Sequence, residues 1–122
     1  MNTAWAEVFY LDCGCLSLER KYLKNPTQLG LEDVGCKSEP NIQLILDNEN
    51  NTLVKGNETL NLSVNKTNYE VRRYIPGLLN PNKEYWQLMK LGRVSLQFFI
   101  SHQEDDFTRH ALWYQCKISE RI

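Results

Sequence analysis

Apolar and polar residues alternate with a period of two through much of this chain, most clearly toward its C-terminal end. Over residues 94–101, Leu96, Phe98 and Ile100 share one face while Gln97, Phe99 and Ser101 share the other. Over residues 111–118, Leu112, Tyr114, Cys116 and Ile118 stand against Ala111, Trp113, Gln115 and Lys117. Successive side chains of a strand point to opposite faces, so each run reads as a half-buried strand. The residues 103–109 between them, polar except for Phe107, predict a hairpin.

The same alternation recurs upstream. Residues 4–11 form an apolar and aromatic run suited to a strand covered on both faces, and Asp12, Cys13, Gly14 and Cys15 read as a turn after it. Leu16, Leu18, Arg20 and Tyr22 alternate again, until Asn25 before Pro26 stops the run, because the residue before proline is pushed out of the helical region. Residues 27–41 lose the pattern and predict a long loop. Short strands over 42–46, 52–55, 59–64 and 69–75, separated by turns rich in Asn, Asp and Gly, make an antiparallel meander with Leu60, Leu62 and Val64 inward.

Residues 81–91 break from this. Asn80 and Pro81 suit a helix N-cap and first helical position, Gly92 suits a C-terminal cap, and Tyr85, Leu88 and Met89 lie at helical spacing; the alternative is a further strand from Tyr85 to Leu91, which would make the chain all-β. The expected fold is therefore a single, mainly β (α+β) domain over residues 1–122. It is a twisted antiparallel sheet or small β-sandwich of about six to eight short strands, with one short helix near residues 81–91.

Composition narrows the function classes. A chain of 122 residues can bury a core without a metal or disulfides. With 14 Lys and Arg against 15 Asp and Glu it has no electrostatic bias toward nucleic acid or anionic membranes, and near-zero charge leaves little barrier to self-association, so a dimer is expected. The N-terminus carries no basic segment ahead of an apolar one, Glu7 and Asp12 interrupt the apolar positions, and no run approaches the roughly 18 apolar residues of a membrane span. This reads as a soluble, cytoplasmic protein, in which four cysteines are buried thiols rather than a disulfide framework.

Few residues suggest chemistry. Cys13 and Cys15 form one close pair, whereas Cys36 and Cys116 stand alone, unlike the paired spacing of structural zinc sites, so no metal is expected. His102 and His110 frame Glu104, Asp105 and Asp106, a set that could bind a ligand or cation or act as acid and base, against the plainer reading of a solvated acidic turn. Serine-nucleophile elbows and glycine-rich phosphate loops are absent, so neither catalysis nor a cofactor is expected. Asn-x-Ser/Thr triplets begin at Asn50, Asn57, Asn61 and Asn65; they would mark glycosylation in a secreted chain, and otherwise reflect turn composition.

Phe99 and Trp113 lie on a face otherwise polar, among Gln97 and Gln115, and are covered either by the helix or by a protein partner. The leading expectation is a non-catalytic binding or interaction protein of accessory, inhibitor or immunity-like type, using Gln97, Phe99, Trp113 and Gln115 against a partner or a second copy. A second reading is a small-molecule binder with Trp5, Tyr10, Trp86 and Tyr114 lining a cavity. A third is a metal-dependent enzyme built on the His102/His110 loop.

Overall fold

The computed structural model describes residues 8–22, 31–33, 36, 39–106 and 108–121. Among them there is no helix, and ten strands form one antiparallel sheet. They are β1 (Val8–Tyr22), β2 (Leu31–Asp33), β3 (Ile42–Asp47), β4 (Thr52–Lys55), β5 (Glu58–Asn61), β6 (Ser63–Val64), β7 (Asn68–Pro76), β8 (Glu84–Gly92), β9 (Gln97–Gln103) and β10 (Thr108–Arg121). Neighbours run β5-β4-β3-β1-β10-β9-β8-β7-β6, and β2 pairs with β1 off this path.

The two edges of that order are almost one strand. Only Leu62 separates β5 from β6; its N–H donates to the Asn51 carbonyl at 2.8 Å on the β4 side. From Ser63 onward the chain pairs instead with β7, Ser63 opposite Glu70 and Val64 opposite Tyr69. The sheet thus curls into a nearly closed up-and-down barrel. Taking β5 and β6 as one wall strand and leaving β2 outside, the wall has eight strands. Its first and last strands pair from Phe9 opposite Arg121 to Tyr22 opposite Thr108.

Over the remaining seam, between β5 and β7, a side chain stands where the ladder fails. The two terminal nitrogens of Arg73 donate to the two carboxylate oxygens of Glu58 at 2.6 and 2.9 Å, and its Nε donates to Gln87 Oε1 at 2.8 Å. This contact holds the Glu58 carboxyl below its ordinary pKa. The middle of the barrel is filled by Leu11, Leu44, Leu53, Met89, Leu91 and Phe98, all buried, from β1, β3, β4, β8 and β9. An eight-strand barrel is just wide enough for side chains to fill it or for one small ligand.

Several expectations are corrected. The mainly β character holds, but the sheet is a barrel rather than a sandwich, and the helix near residues 81–91 is strand β8. Its sequence carries both periods, and the alternation of Tyr85, Gln87, Met89 and Leu91, all buried, prevails because β7 and β9 pair on either side. Asn80 and Pro81 open a turn instead, closed by Lys83 N–H donating to the Asn80 carbonyl at 3.2 Å. Gly92 ends β8 where a β-carbon would collide with the Ser95 side chain. Residues 12–15 do not turn the chain; β1 runs through them with irregularities between Tyr10 and Leu11 and between Cys15 and Ser17, held by β10 and β3. Val64 is exposed, not inward. Residues 4–7, with Trp5, lie outside the described residues.

The cysteines are also corrected, because none is a thiol. Cys13 and Cys116 face each other in the β1–β10 ladder and are joined, and Cys15 is joined to Cys36. The first bridge spans 103 residues of sequence. Cross-links over loops of that length restrict the unfolded chain most, so the double change Cys13→Ala and Cys116→Ala is expected to lower stability by about 2–5 kcal/mol. Urea unfolding measures this; an unchanged midpoint would show that the bridge contributes nothing.

Candidate functional site

The two ends of the barrel differ in lining. At the end where β1 begins and β10 finishes, alternation brings Phe9, Leu11, Leu46, Tyr69 and Ile118 together, and the β8–β9 turn adds Leu96. With Asn48, Lys66, Arg93 and Val94 they enclose a recess of about 520 Å³. That volume lies within the roughly 300–1,000 Å³ of small-molecule sites. Val94, 94 % exposed, stands at the tip of the turn.

Both charged side chains lining this recess are cations, Lys66 and Arg93. Arg93 is held in place: its backbone N–H donates to the Thr67 carbonyl at 2.8 Å, and Nη1 donates to the Asn65 carbonyl at 2.8 Å. Its guanidinium carbon lies 5.8 Å from the centre of the Tyr69 ring, within cation–π range. The β6–β7 turn that receives these bonds is itself fixed by Asn65 Oδ1, which accepts from the backbone N–H groups of Thr67 and Asn68. Five side-chain N–H donors belong to an arginine, so Arg93 can serve both the turn and an anion at the mouth.

The opposite end is polar. Gln87 and His102 are buried there, in phase with the core residues of β8 and β9, and so is Glu104, just past the end of β9. The His102 and His110 rings meet edge to face with centroids 6.0 Å apart, and His110 Nδ1 lies 3.6 Å from Glu104 Oε1. His102 donates to the Ile75 carbonyl, while its Nε2 has no hydrogen-bond partner among the described residues.

The other two carboxylates of the set turn elsewhere. Asp105 Oδ1 accepts from Thr108 N–H and hydroxyl at 2.8 and 2.9 Å, and Asp106 Oδ1 accepts from Lys83 Nζ and Tyr85 hydroxyl at 2.8 and 2.9 Å. Leu79 N–H donates to the Glu104 carbonyl at 3.0 Å, so the acidic turn is tied to the β7–β8 connection. Of the five residues singled out in sequence, the fold brings together His102, Glu104 and His110. Among the described residues no group of three His, Cys, Asp or Glu side chains is placed to hold a metal ion.

Phe99 and Trp113 lie on the outer wall, directly opposite each other on β9 and β10, with ring centroids 4.7 Å apart. Both are half-buried, by each other and by their wall neighbours. Gln97 and Gln115 are opposite in the same ladder, and Gln97 Nε2 donates to Gln115 Oε1 at 3.4 Å. Farther round the wall Tyr74 and Trp86 stack at 4.3 Å, and they are 57 % and 45 % exposed.

Of the aromatics expected to line one cavity, Tyr114 is in the core, Trp86 is on the outer wall, and Tyr10 borders an outer groove with Gln43, Ile45 and Val54. They do not converge. The residues around the recess escaped sequence reasoning because they come from both chain ends and three turns. The inward phase of β1, β3 and β10 signals the apolar ones, but no local pattern signals Lys66 or Arg93.

The buried imidazole carries a pH signature. Burial holds His102 below the ordinary imidazole pKa near 6.5, outweighing the Ile75 hydrogen bond and the Glu104 carboxylate, both of which favour the charged ring. Below that value the unfolded chain takes a proton that the folded chain resists, so folding stability is full above it and falls as the pH drops. The urea midpoint is expected to be lower at about pH 5.5 than at about pH 7.5, and His102→Gln to flatten this dependence, by up to about 1.4 kcal/mol per pH unit. An identical profile in the variant would place the titrating group elsewhere.

No family model, no curated protein and no solved structure matches this chain.

Proposed function

We propose that the protein is a non-catalytic binder of small amphipathic molecules, with an apolar body seated in the barrel mouth and an anionic group held by Lys66 and Arg93. The observation that carries this reading is the recess of about 520 Å³, apolar in its depth and bearing two cations among its lining residues. Apolar walls supply affinity in proportion to the area they cover, and a few placed polar groups fix orientation. The anchored Arg93 loses little freedom on meeting an anion, which favours binding.

A protein-docking role for the outer wall is the second reading, favoured by the exposed Tyr74 and Trp86 stack rather than by Phe99 and Trp113, which already cover each other. It ranks lower because Gln97 and Gln115 are paired with one another and the groove beside Trp86, about 270 Å³ between Leu88, Phe99 and Arg109, is smaller than the recess at the mouth. The metal-dependent reading ranks last, since Asp105 and Asp106 are engaged in holding turns.

The test is fluorescence titration with anilinonaphthalene sulfonate, an apolar anionic dye, followed by competition with laurate and with dodecanol. Enhanced emission, displaced by laurate more readily than by dodecanol, is expected. A charge-assisted contact is worth about 1.5–3 kcal/mol, so Lys66→Glu with Arg93→Glu should weaken dye binding about tenfold or more, at some loss of stability because Arg93 also holds the Asn65 carbonyl. Lys66→Glu alone should weaken it with the unfolding midpoint nearly unchanged. No dye binding, or binding insensitive to both this change and Leu46→Arg, would sink the reading.

A further inference from the structure

Two observations independent of the barrel mouth lead to one conclusion. All four cysteines are joined in pairs, and disulfides form and persist in oxidising compartments but are rare in the cytosol. Each bridge gives up two protons and two electrons from a pair of thiols, which thiol–disulfide exchange passes to the disulfide oxidants of such a compartment.

The second observation is the crowding of Asn-x-Ser/Thr triplets. Twelve asparagines and twelve serines or threonines scattered over 122 positions would give roughly one such triplet. This chain has four, all starting between Asn50 and Asn65. The fold sets them along one side of the barrel: Asn50 in the β3–β4 turn, Asn57 in the β4–β5 turn, Asn61 at the end of β5 and Asn65 in the β6–β7 turn. All four are exposed.

Turn chemistry accounts for asparagine at three of these positions but not at Asn61, which belongs to a strand, where asparagine is disfavoured. Its neighbour Leu60 is buried, so alternation points Asn61 outward. Asn50 differs from the other three in a second way, because its Nδ2 donates to Asp47 Oδ2 at 2.9 Å.

We infer that Asn57, Asn61 and Asn65 are N-glycosylated and that the chain matures in an oxidising secretory compartment, in place of the cytoplasm expected from its N-terminal sequence. The donor is a lipid-linked oligosaccharide diphosphate, used by an oligosaccharyltransferase of that compartment. Asparagine Nδ2 forms a bond to C1 of the first sugar as the bond from C1 to the diphosphate oxygen breaks. The electron pair leaves with the lipid diphosphate, and the Nδ2 proton passes to a base of the transferase.

The hydroxyl two residues on, which the transferase requires, is that of Thr59, Ser63 or Thr67. At Asn65 it already meets its asparagine, Thr67 Oγ1 donating to Oδ1 at 3.2 Å. The placement also answers a structural need. Strand β5 borders the seam, and an unpaired strand edge is a template for another chain. Glycans at Asn57 and Asn61 stand at the two ends of β5 and crowd any chain that would pair there.

The inference is tested on the endogenous protein, captured with an antibody from cells that naturally make it. Alkylation without reduction and peptide-N-glycosidase digestion in ¹⁸O-labelled water are followed by peptide mass spectrometry. The expected result is four cysteines resistant to alkylation, a mass lowered by the glycosidase, and ¹⁸O-labelled aspartate at positions 57, 61 and 65. Unmodified asparagines at all three positions would overturn it, with or without disulfides, as would alkylated cysteines in the captured protein. Label confined to position 50 would overturn the assignment to Asn57, Asn61 and Asn65.

Discussion

The pairing of β1 with β10 is the interaction on which the rest of the structure depends. It joins the two ends of the described chain, Phe9 opposite Arg121 through Tyr22 opposite Thr108, and so converts a meander of hairpins into a barrel. A closure across such a sequence separation carries a chain-entropy cost that the local hairpins do not. A long ladder, irregular only between Tyr10 and Leu11 and between Cys15 and Ser17, offsets it, and the Cys13–Cys116 bridge within the ladder reduces the freedom of the unfolded chain. Because β1 also pairs with β3, its inner residues Leu11 and Cys13 sit where both halves of the wall meet.

Closure gives the barrel a lining that changes character along its axis. Reading from the mouth inward, β7 presents Tyr69, Val71 and Arg73, β8 presents Leu91, Met89 and Gln87, and β9 presents Phe98, Ile100 and His102. On β10 the series is Cys116, Tyr114, Leu112 and His110. Each strand passes from apolar to polar in the same direction. At the polar end the groups bind one another, Arg73 to Gln87 and Glu58 and His110 beside Glu104, and the β7–β8 and β9–β10 turns are tied across. Among the described residues nothing comparable fills the apolar end, where the recess lies.

Net charge concealed this arrangement. A balance of 14 basic and 15 acidic residues argues against a strong field over the whole molecule, yet it does not bear on a single opening. Lys66 and Arg93 are 27 positions apart and lie in two separate turns; Arg93 reaches the neighbouring turn through Asn65 and Thr67. The acidic residues that looked like a cluster are dispersed for a related reason. A turn needs side-chain acceptors for its own N–H groups and those of its neighbours, and Asp105 and Asp106 serve as such acceptors.

By itself the sequence determined the strand periodicity, the hairpin of β9 and β10, the meander from β3 to β7, and which face of most strands is apolar, because alternation is a local property of a pleated chain. It left residues 84–92 ambiguous, since one segment can carry helical and strand spacing at once, and only partners on both sides select the strand. It pointed to buried thiols where the cysteines are in fact bridged, because facing positions in a ladder depend on register between the first and last strands. Barrel closure, the pairing of Cys13 with Cys116, the inward turn of His102 and Glu104, and the meeting of residues from β1, β3, β7, β10 and three turns around one opening were decided by tertiary structure. All of these are relations between residues distant in sequence, fixed by the curvature and closure of the sheet.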